Sequence, residues 1–368
     1  MINAGVEMLK RVRGDFIVPY DMMETMRAVG LYKYLPVDHP DSLLDVEIPR
    51  PEPAARDLLV RVKAVSVNPV DTKVRSPKDK VESTPRVLGW DAAGIVESVG
   101  NEATLFRAGD EVFYAGDITR PGSNSDFHLV DERITGRKPR NLSFEDAAAM
   151  PLTTITAWEA MFDRLGIPRT IAGRADGREQ TILIIGGAGG VGSIAIQLAK
   201  TLTGLRVIAT ASRQESAEWC RSLGADDIIN HHNPFQGEFK NAGLPEADYI
   251  LCLNSTEKHI QNMADVIKPQ GRLCTIVETK GGAPVNINLF QRKSVALCWE
   301  LMFTRPMFQT PDMQAQHELL DEASALLEAG TLRTTRTTGF GELNAENLKK
   351  AHAEIERGDM IGKATLTN

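Results

Sequence analysis

The run Gly186-Gly187-Ala188-Gly189-Gly190-Val191-Gly192 carries the clearest chemistry in the sequence. It contains G-x-G-x-x-G as Gly187, Gly189 and Gly192. It directly follows the apolar stretch Ile182-Leu183-Ile184-Ile185 and precedes a helical pattern from Ile194 to Leu202. The motif has meaning only between a strand and a helix, and it stands there. Glycine permits the tight turn, and a missing Cβ lets the backbone approach a pyrophosphate. The helix N-terminus then offers unpaired N–H groups and partial positive charge. Gly187, Ala188, Gly189, Gly190, Val191 and Gly192 are therefore expected to hold a dinucleotide; the alternative is a structural turn with no ligand.

A ribose with a free 2′-hydroxyl calls for Asp or Glu about 20 residues further on. Here the next strand ends in Thr210-Ala211-Ser212-Arg213, with no carboxylate at its tip. A hydroxyl and a cation suit a 2′-phosphate instead, and a charged hydrogen bond contributes roughly 1.5–3 kcal/mol. Ser212 and Arg213 thus predict NADPH in preference to NADH. The competing reading of Arg213 is a solvated surface charge.

The elements that position these groups fall into two textures. From Met26 to about Ala148 the chain reads as short strands: Leu58 to Val67, Val87 to Gly89, Ala93 to Gly100 and Ala108 to Phe113, punctuated by glycine. That is the pattern of a β barrel or sandwich. Ser143-Phe144-Glu145-Asp146 is a helix start, and Ala147 to about Leu165 reads as one helix. After a polar linker (173–180), strands alternate with helices. The strands are 182–185, 207–210, 227–229, 249–253, 272–277 and 295–299. Helices are expected at 194–202 and 215–223. Apolar strands alternating with helices mean a parallel sheet covered on both faces. Two helices (317–328 and 345–357) and a strand (363–366) close the chain. The fold class is α/β plus β.

Composition sets the outer bounds. The chain has 368 residues, long enough for two domains, with 42% hydrophobic and 25% charged residues. Lys plus Arg number 42 against 49 Asp plus Glu, a net charge of −7, which argues against a nucleic-acid binder. No apolar run reaches about 18 residues, so no membrane span is expected. The cysteines, Cys220, Cys252, Cys274 and Cys298, form no C-x-x-C pair, which suits a reducing, cytoplasmic setting. Residues 1–25 mix both charge signs without an apolar stretch and are expected to be a disordered leader.

Five segments appear in a telling order: Asn68-Pro69-Val70-Asp71-Thr72-Lys73, Gly89-Trp90-Asp91-Ala92-Ala93-Gly94, Ala108-Gly109-Asp110-Glu111-Val112, Pro151 to Trp158, and the Ala188 to Gly192 loop. With them the chain, from about Met26 on, resembles the medium-chain dehydrogenase/reductase superfamily. Within it, the chain is similar to the zinc-independent quinone oxidoreductase branch, whose proteins are often labelled zinc-type alcohol dehydrogenase-like. The resemblance implies a GroES-like β-barrel substrate domain (26–150 and 305–368) and a Rossmann NADP(H)-binding domain (151–304). It also implies a cleft between them and a homodimer formed through the edge of the Rossmann sheet. It further implies that Thr156 and Asn254 lie along the nicotinamide half and His231 near the adenosine phosphate.

Zinc alcohol dehydrogenases resembling this chain hold the metal with Cys, His and Cys. The matching slots are Asn68, Trp90 and about Leu152. None is a useful zinc ligand, and His39 and His128 stand far apart without a cysteine, so no catalytic zinc is expected. Without a metal or strong base, conjugate reduction of a quinone or α,β-unsaturated carbonyl is the favoured chemistry. It needs placement of the reactants and a donor for the carbonyl oxygen. Asn68, Lys73, Thr153 and Thr154 are candidate donors. Lys73 stands where many relatives have tyrosine, and it reads equally as a solvated stem. Asp71 pairs with Asn68 across the Asn68-x-x-Asp71 spacing, either in the chemistry or as the brace of the loop. Reduction of simple aldehydes or ketones, and a non-catalytic NADPH-binding role, remain the competing readings.

Overall fold

The computed structural model describes residues 24–169 and 180–368, with the backbone alone of 11–13 and 16–18. Those two segments, β1 (Arg11–Arg13) and β2 (Phe16–Val18), pair antiparallel. Of the expected leader 1–25, Glu24 and Thr25 are also described, Thr25 as the first residue of a strand; the remainder, and most of the 173–180 linker, lies outside the described residues.

In the first half, β3 (Thr25–Tyr34) and β4 (Leu44–Pro49) precede the long β5 (Asp57–Val67). Helix α1 (Pro69–Arg75) leads into β6 (Lys78–Val87), β7 (Ala92–Val99), β8 (Glu111–Tyr114), β9 (Phe127–Asp131) and β10 (Thr135–Arg137). Strands β4, β3 and β6 form one antiparallel sheet. Strands β10, β8, β7 and β5 lie side by side in another, where β9 also pairs with β5. The valines and leucines of β5 reach the core on both faces because sheet and helices cover it on both sides.

The single helix expected from Ala147 is divided. Helix α2 (Phe144–Ala148) opens on Ser143, whose hydroxyl accepts the Asp146 N–H, and α3 (Pro151–Trp158) restarts at Pro151. Proline lacks the N–H and its ring collides with the preceding turn, so the helix cannot run through. Beyond Trp158 the turns widen to π geometry over Glu159–Arg164.

The second half alternates as β11 (Thr181–Ile185), α4 (Gly190–Leu202), β12 (Arg206–Thr210), α5 (Gln214–Ser222), β13 (Asp227–Ile229), α6 (Phe235–Ala242), β14 (Ala247–Cys252), α7 (Thr256–Val266), β15 (Ile267–Thr275) and β16 (Ala296–Trp299). The sheet order is β13-β12-β11-β14-β15-β16, with every pairing parallel. Ile182 and Ile184 of β11 join one apolar layer, and Leu183 and Ile185 the other. The strand order reverses between β11 and β14. In open parallel sheets, ligands sit beyond the carboxyl ends of the strands at such a reversal. Helix α4 begins on the glycine loop itself, at Gly190, rather than at Ile194.

After α8 (Thr304–Phe308) and α9 (Ala315–Glu328), the chain forms β17 (Arg336–Glu342), α10 (Ala345–Arg357) and β18 (Lys363–Thr367). Strand β18 pairs antiparallel with β5 and parallel with β17, so the C-terminus is built into the first sheet. No helix among the described residues is long and apolar enough to cross a membrane.

Candidate coenzyme site and the buried polar junction beside it

The glycine loop is held from below and open above. Gly186 takes φ +89°. Its N–H donates to Thr210 Oγ1 at 3.0 Å, and the Gly187 N–H donates to the Thr210 carbonyl at 3.3 Å. A Cβ on Gly192 would lie 2.3 Å from the Gly186 carbonyl oxygen, and one on Gly187 would lie 2.8 Å from Ala209 Cβ. Packing alone therefore demands those two glycines. Gly189 differs: a Cβ there would meet nothing nearer than the Gly186 oxygen at 3.6 Å, so its missing side chain leaves room for a ligand. The Ser193 N–H bonds to the Gly189 carbonyl at 2.8 Å. The amides of Val191 and Gly192 have no acceptor among the described residues, whereas the bridge between Gly189 and Gly362 turns the Gly190 N–H toward the Gly362 carbonyl. Two free amides at the start of a 13-residue helix are able to receive an anion, and the loop fits a dinucleotide pyrophosphate.

Where the sequence places the adenosine phosphate, β12 runs into Ser212 and Arg213, both exposed. The Arg213 Nη2 donates to the Asp359 backbone carbonyl in the turn before β18. His231 follows β13, whose Ile229 carbonyl accepts the Ala211 N–H, so His231 and Ser212 sit beyond neighbouring strands. Burial, and then the charge of His232, lowers the His231 pKa. Its Nδ1 has no partner. Asn254 lies beyond β14; its Cβ is 3.7 Å from where a Gly186 Cβ would stand.

The residues after β5 meet the loop from the other side. Asn68 caps α1: its N–H donates to Asp71 Oδ2 at 2.7 Å. Its Oδ1 accepts from the Lys363 ammonium, and its Nδ2 donates to Asp91 Oδ2 at 3.2 Å. Lys363 Nζ also bonds Asp91 Oδ2 at 2.9 Å and the Val67 carbonyl at 3.1 Å. Asp91 Oδ1 takes the Leu152 N–H at 3.0 Å at the start of α3. Asn68, Asp71, Asp91 and Lys363 are all buried. Burial pushes the Asp71 carboxyl up to about 7, against the opposing pull of the Asn68 N–H and the Lys363 charge, and Asp71 Oδ1 has no hydrogen-bond partner. Burial also raises Asp91, with Lys363 the largest opposing influence.

Lys363 joins this junction to the glycine loop. A Cβ on Gly190 would lie 2.8 Å from Lys363 Cδ and 3.1 Å from Thr153 Cγ2. Thr153 is thereby beside the loop, its hydroxyl donating to the Met150 carbonyl at 3.2 Å. Thr156 is buried one turn further along α3, its hydroxyl bonded to the Leu152 carbonyl at 2.8 Å. Lys73 is not drawn in: its side chain is exposed, and its ammonium has no hydrogen-bond partner among the described residues. Trp90 is fully buried, its indole N–H donating to the Asp117 carbonyl at 3.2 Å and its ring edge-on to Phe303 at 6.2 Å.

A zinc ion does not fit the donors at the three slots. The Asn68 amide oxygen is taken by an ammonium, Trp90 offers an N–H donor, and Leu152 an aliphatic chain. No group of three or more His, Cys, Asp or Glu among the described residues is able to hold a metal. Sequence reasoning missed Lys363 and gave Asp91 no role. The available signal was a lysine heading a strand otherwise made of Ala, Thr and Leu, after the Gly362 that frees its backbone.

The first half matches the alcohol dehydrogenase GroES-like domain over residues 54–137, and the second half matches the zinc-binding dehydrogenase model over residues 190–318. The chain is 42% identical over 341 residues to a zinc-type alcohol dehydrogenase-like protein of Staphylococcus aureus, covering 93% of this chain and 99% of that one. Across 198 residues it is 38% identical to the 2-methylene-furan-3-one reductase of Solanum lycopersicum, covering 51% of this chain and 48% of that protein. Among solved structures it superposes with a TM-score of 0.88 and 52% identity on "a putative zinc-dependent alcohol dehydrogenase protein" from Rhizobium etli CFN 42, covering 94% and 99% of the two chains. A GroES-like domain, a parallel sheet in Rossmann order and end-to-end relatives agree: the chain belongs to the medium-chain dehydrogenase/reductase superfamily of oxidoreductases, in its zinc-type alcohol dehydrogenase-like branch.

Proposed function

We propose that the protein is an NADPH-dependent reductase of quinones or α,β-unsaturated carbonyls that works without zinc. The observation that carries this reading is the open glycine loop set against a junction whose first metal slot, Asn68, is bonded to Lys363 instead. The likeness over half its length to an enone reductase of Solanum lycopersicum supports the choice of acceptor. When bound, NADPH supplies a hydride from nicotinamide C4 to the β-carbon of the acceptor.

The chain's own residues do the rest. The amides of Val191 and Gly192 hold the pyrophosphate, and Ser212 and Arg213 hold the 2′-phosphate. Negative charge gathers on the acceptor's carbonyl oxygen, and one well-aimed donor there is worth on the order of 3–4 kcal/mol. One Asn68 amide hydrogen is committed to Asp91. The other has only 3.5 Å approaches to the Ser66 and Trp90 carbonyls, too long to hold it firmly. That hydrogen, and the Thr153 hydroxyl once it turns from the Met150 carbonyl, are the donors this reading assigns.

Oxidation of NADPH is measured against a quinone, an enone and saturated aldehydes and ketones. Turnover of the first two alone is expected. Turnover of saturated carbonyls makes the protein an aldehyde or ketone reductase instead. Tight NADPH binding with no turnover makes it a binding protein. We also read the exposed edge of β16, with Leu297 and Trp299 beside Leu301, as the contact with a second copy, which light scattering tests. The same reading places the protein in the cytoplasm, in keeping with four free cysteines.

A further inference from the structure

The turn between α10 and β18 runs from Arg213 past the glycine loop to the buried junction. It starts at Gly358, and its Asp359 carbonyl takes the Arg213 guanidinium. Three residues on, the Gly362 N–H donates to the Ala188 carbonyl at 2.9 Å, and Gly362 bridges Gly189 in parallel fashion. The next residue, Lys363, enters the buried junction with Asn68 and Asp91. Segment 358–363 therefore belongs by chain connection to the first sheet and is seated on the phosphate loop of the second. It is shaped for that seat. Gly362 takes φ +65°, and a Cβ there would lie 2.4 Å from the Thr335 carbonyl oxygen. Thr337 Oγ1 ties down the Ile361 carbonyl at 2.6 Å.

Arg213 is the link between this segment and the adenosine end. A guanidinium has five N–H donors in a rigid fork. Nη2 is spent on the Asp359 carbonyl, and the side chain is otherwise exposed, so the remaining donors are free for a phosphate. An arginine already fixed by one bond loses less freedom on taking a phosphate. An arginine fixed by a phosphate is, by the same linkage, a firmer donor to Asp359.

We infer that Arg213 bridges the coenzyme's 2′-phosphate and the Asp359 carbonyl, so that this phosphate fastens segment 358–363 onto the glycine loop. This rests on the NADPH reading above. Coenzyme choice and the docking of the two halves of the molecule are then one event, and NADH, lacking the 2′-phosphate, leaves the segment loosely held. Asp359, through its backbone, is a specificity-determining position contributed by the first domain.

Hydrogen–deuterium exchange at the Gly362 amide, followed in the full chain by mass spectrometry, reads the Gly362–Ala188 bond directly. The probes are adenosine 2′,5′-bisphosphate and adenosine 5′-monophosphate, each at saturation. Neither spans the pyrophosphate, and they differ by the 2′-phosphate alone. The bisphosphate is expected to slow exchange at Gly362 by about 5-fold or more, the lower end of ordinary coupling between sites. The monophosphate is expected to leave it unchanged, and Arg213→Ala at saturating bisphosphate is expected to abolish the slowing. Arg213→Lys, which keeps the charge but not the fork, is expected to retain binding without the slowing. Equal exchange with both probes, while the bisphosphate binds more tightly, overturns the inference and leaves the NADPH reading standing. So does undiminished slowing in saturated Arg213→Ala. If the bisphosphate binds no more tightly than the monophosphate, the coenzyme reading itself fails, and the inference with it.

Discussion

Lys363, the first residue of the last strand, places its ammonium 2.9 Å from the carboxylate of Asp91, and both side chains are buried. The pair sits where β5, the start of α3 and the phosphate loop converge. It fastens the C-terminus to the part of the chain that carries the matched metal slots. A buried pair of this kind gains little net stability over an apolar pair, but breaking it leaves a charge with no compensation.

Lys363→Met is therefore expected to destabilise the fold by about 3–5 kcal/mol, because Asp91 loses its counter-charge. Lys363→Met combined with Asp91→Asn is expected to recover much of that loss. Urea unfolding of the two single variants and the double variant gives the coupling; simple additivity would show that the two groups do not act as a pair.

Asp71 gives a pH dependence with a definite sign. Its folded carboxyl is pushed up to about 7, whereas the unfolded group titrates near 3.8. Between those values the folded chain keeps a proton that the unfolded chain releases, so this group makes stability fall as pH rises from about 4 to 7. Asp71→Asn removes the titration. The melting temperature of the variant relative to the unaltered protein is expected to rise across that window. A constant difference between the two would show that Asp71 stays ionised in the folded state.

The glycines of the loop should separate by role. Gly192→Ala puts a Cβ 2.3 Å from a backbone oxygen, so loss of both stability and coenzyme binding is expected. Gly189→Ala meets nothing closer than 3.6 Å within the chain. Its melting temperature is expected to stay nearly unchanged while NADPH affinity falls at least tenfold, because the new methyl stands where the pyrophosphate approaches. Calorimetric titration of both variants decides this; unimpaired binding by Gly189→Ala would move the ligand away from the loop.

Arg213→Ala should raise the NADPH dissociation constant about 10- to 150-fold, as loss of a charged hydrogen bond of roughly 1.5–3 kcal/mol implies. NADH binding should change less than twofold. Because Arg213 is exposed, the NADPH effect should shrink with added salt. Fluorescence titration with both coenzymes at two salt concentrations checks this, and equal losses for both would refute a 2′-phosphate role.

Much of the second half is legible in the sequence because its signals are local. The apolar run of β11, the glycines after it and the periodicity of α4 lie within about two dozen residues, and each needs only its neighbours to be understood. The split at Pro151 is a local signal too, overridden by the apolar periodicity on either side of it. What the sequence hides is non-local. Lys363 reads as the head of an ordinary strand until β18 pairs with β5, residues 364–367 against 67–64. Only that pairing brings it to Asn68, nearly 300 positions away. Strand β6 is similarly hidden: its residues are mostly polar and exposed, and it pairs with β3 irregularly. Asn68 and Asp71 are recognisable as a pair from their spacing, but that the Asn68 amide is bonded to a lysine is a property of the fold.

Under the proposed function, hydride moves from NADPH to a conjugated carbonyl at this junction with no metal taking part. The most direct measurement is the rate of NADPH oxidation with an enone by protein exhaustively treated with chelator and shown by mass spectrometry to hold no zinc. An undiminished rate that added zinc does not raise is the predicted result. A rate lost with the metal and restored by one zinc per chain would contradict it.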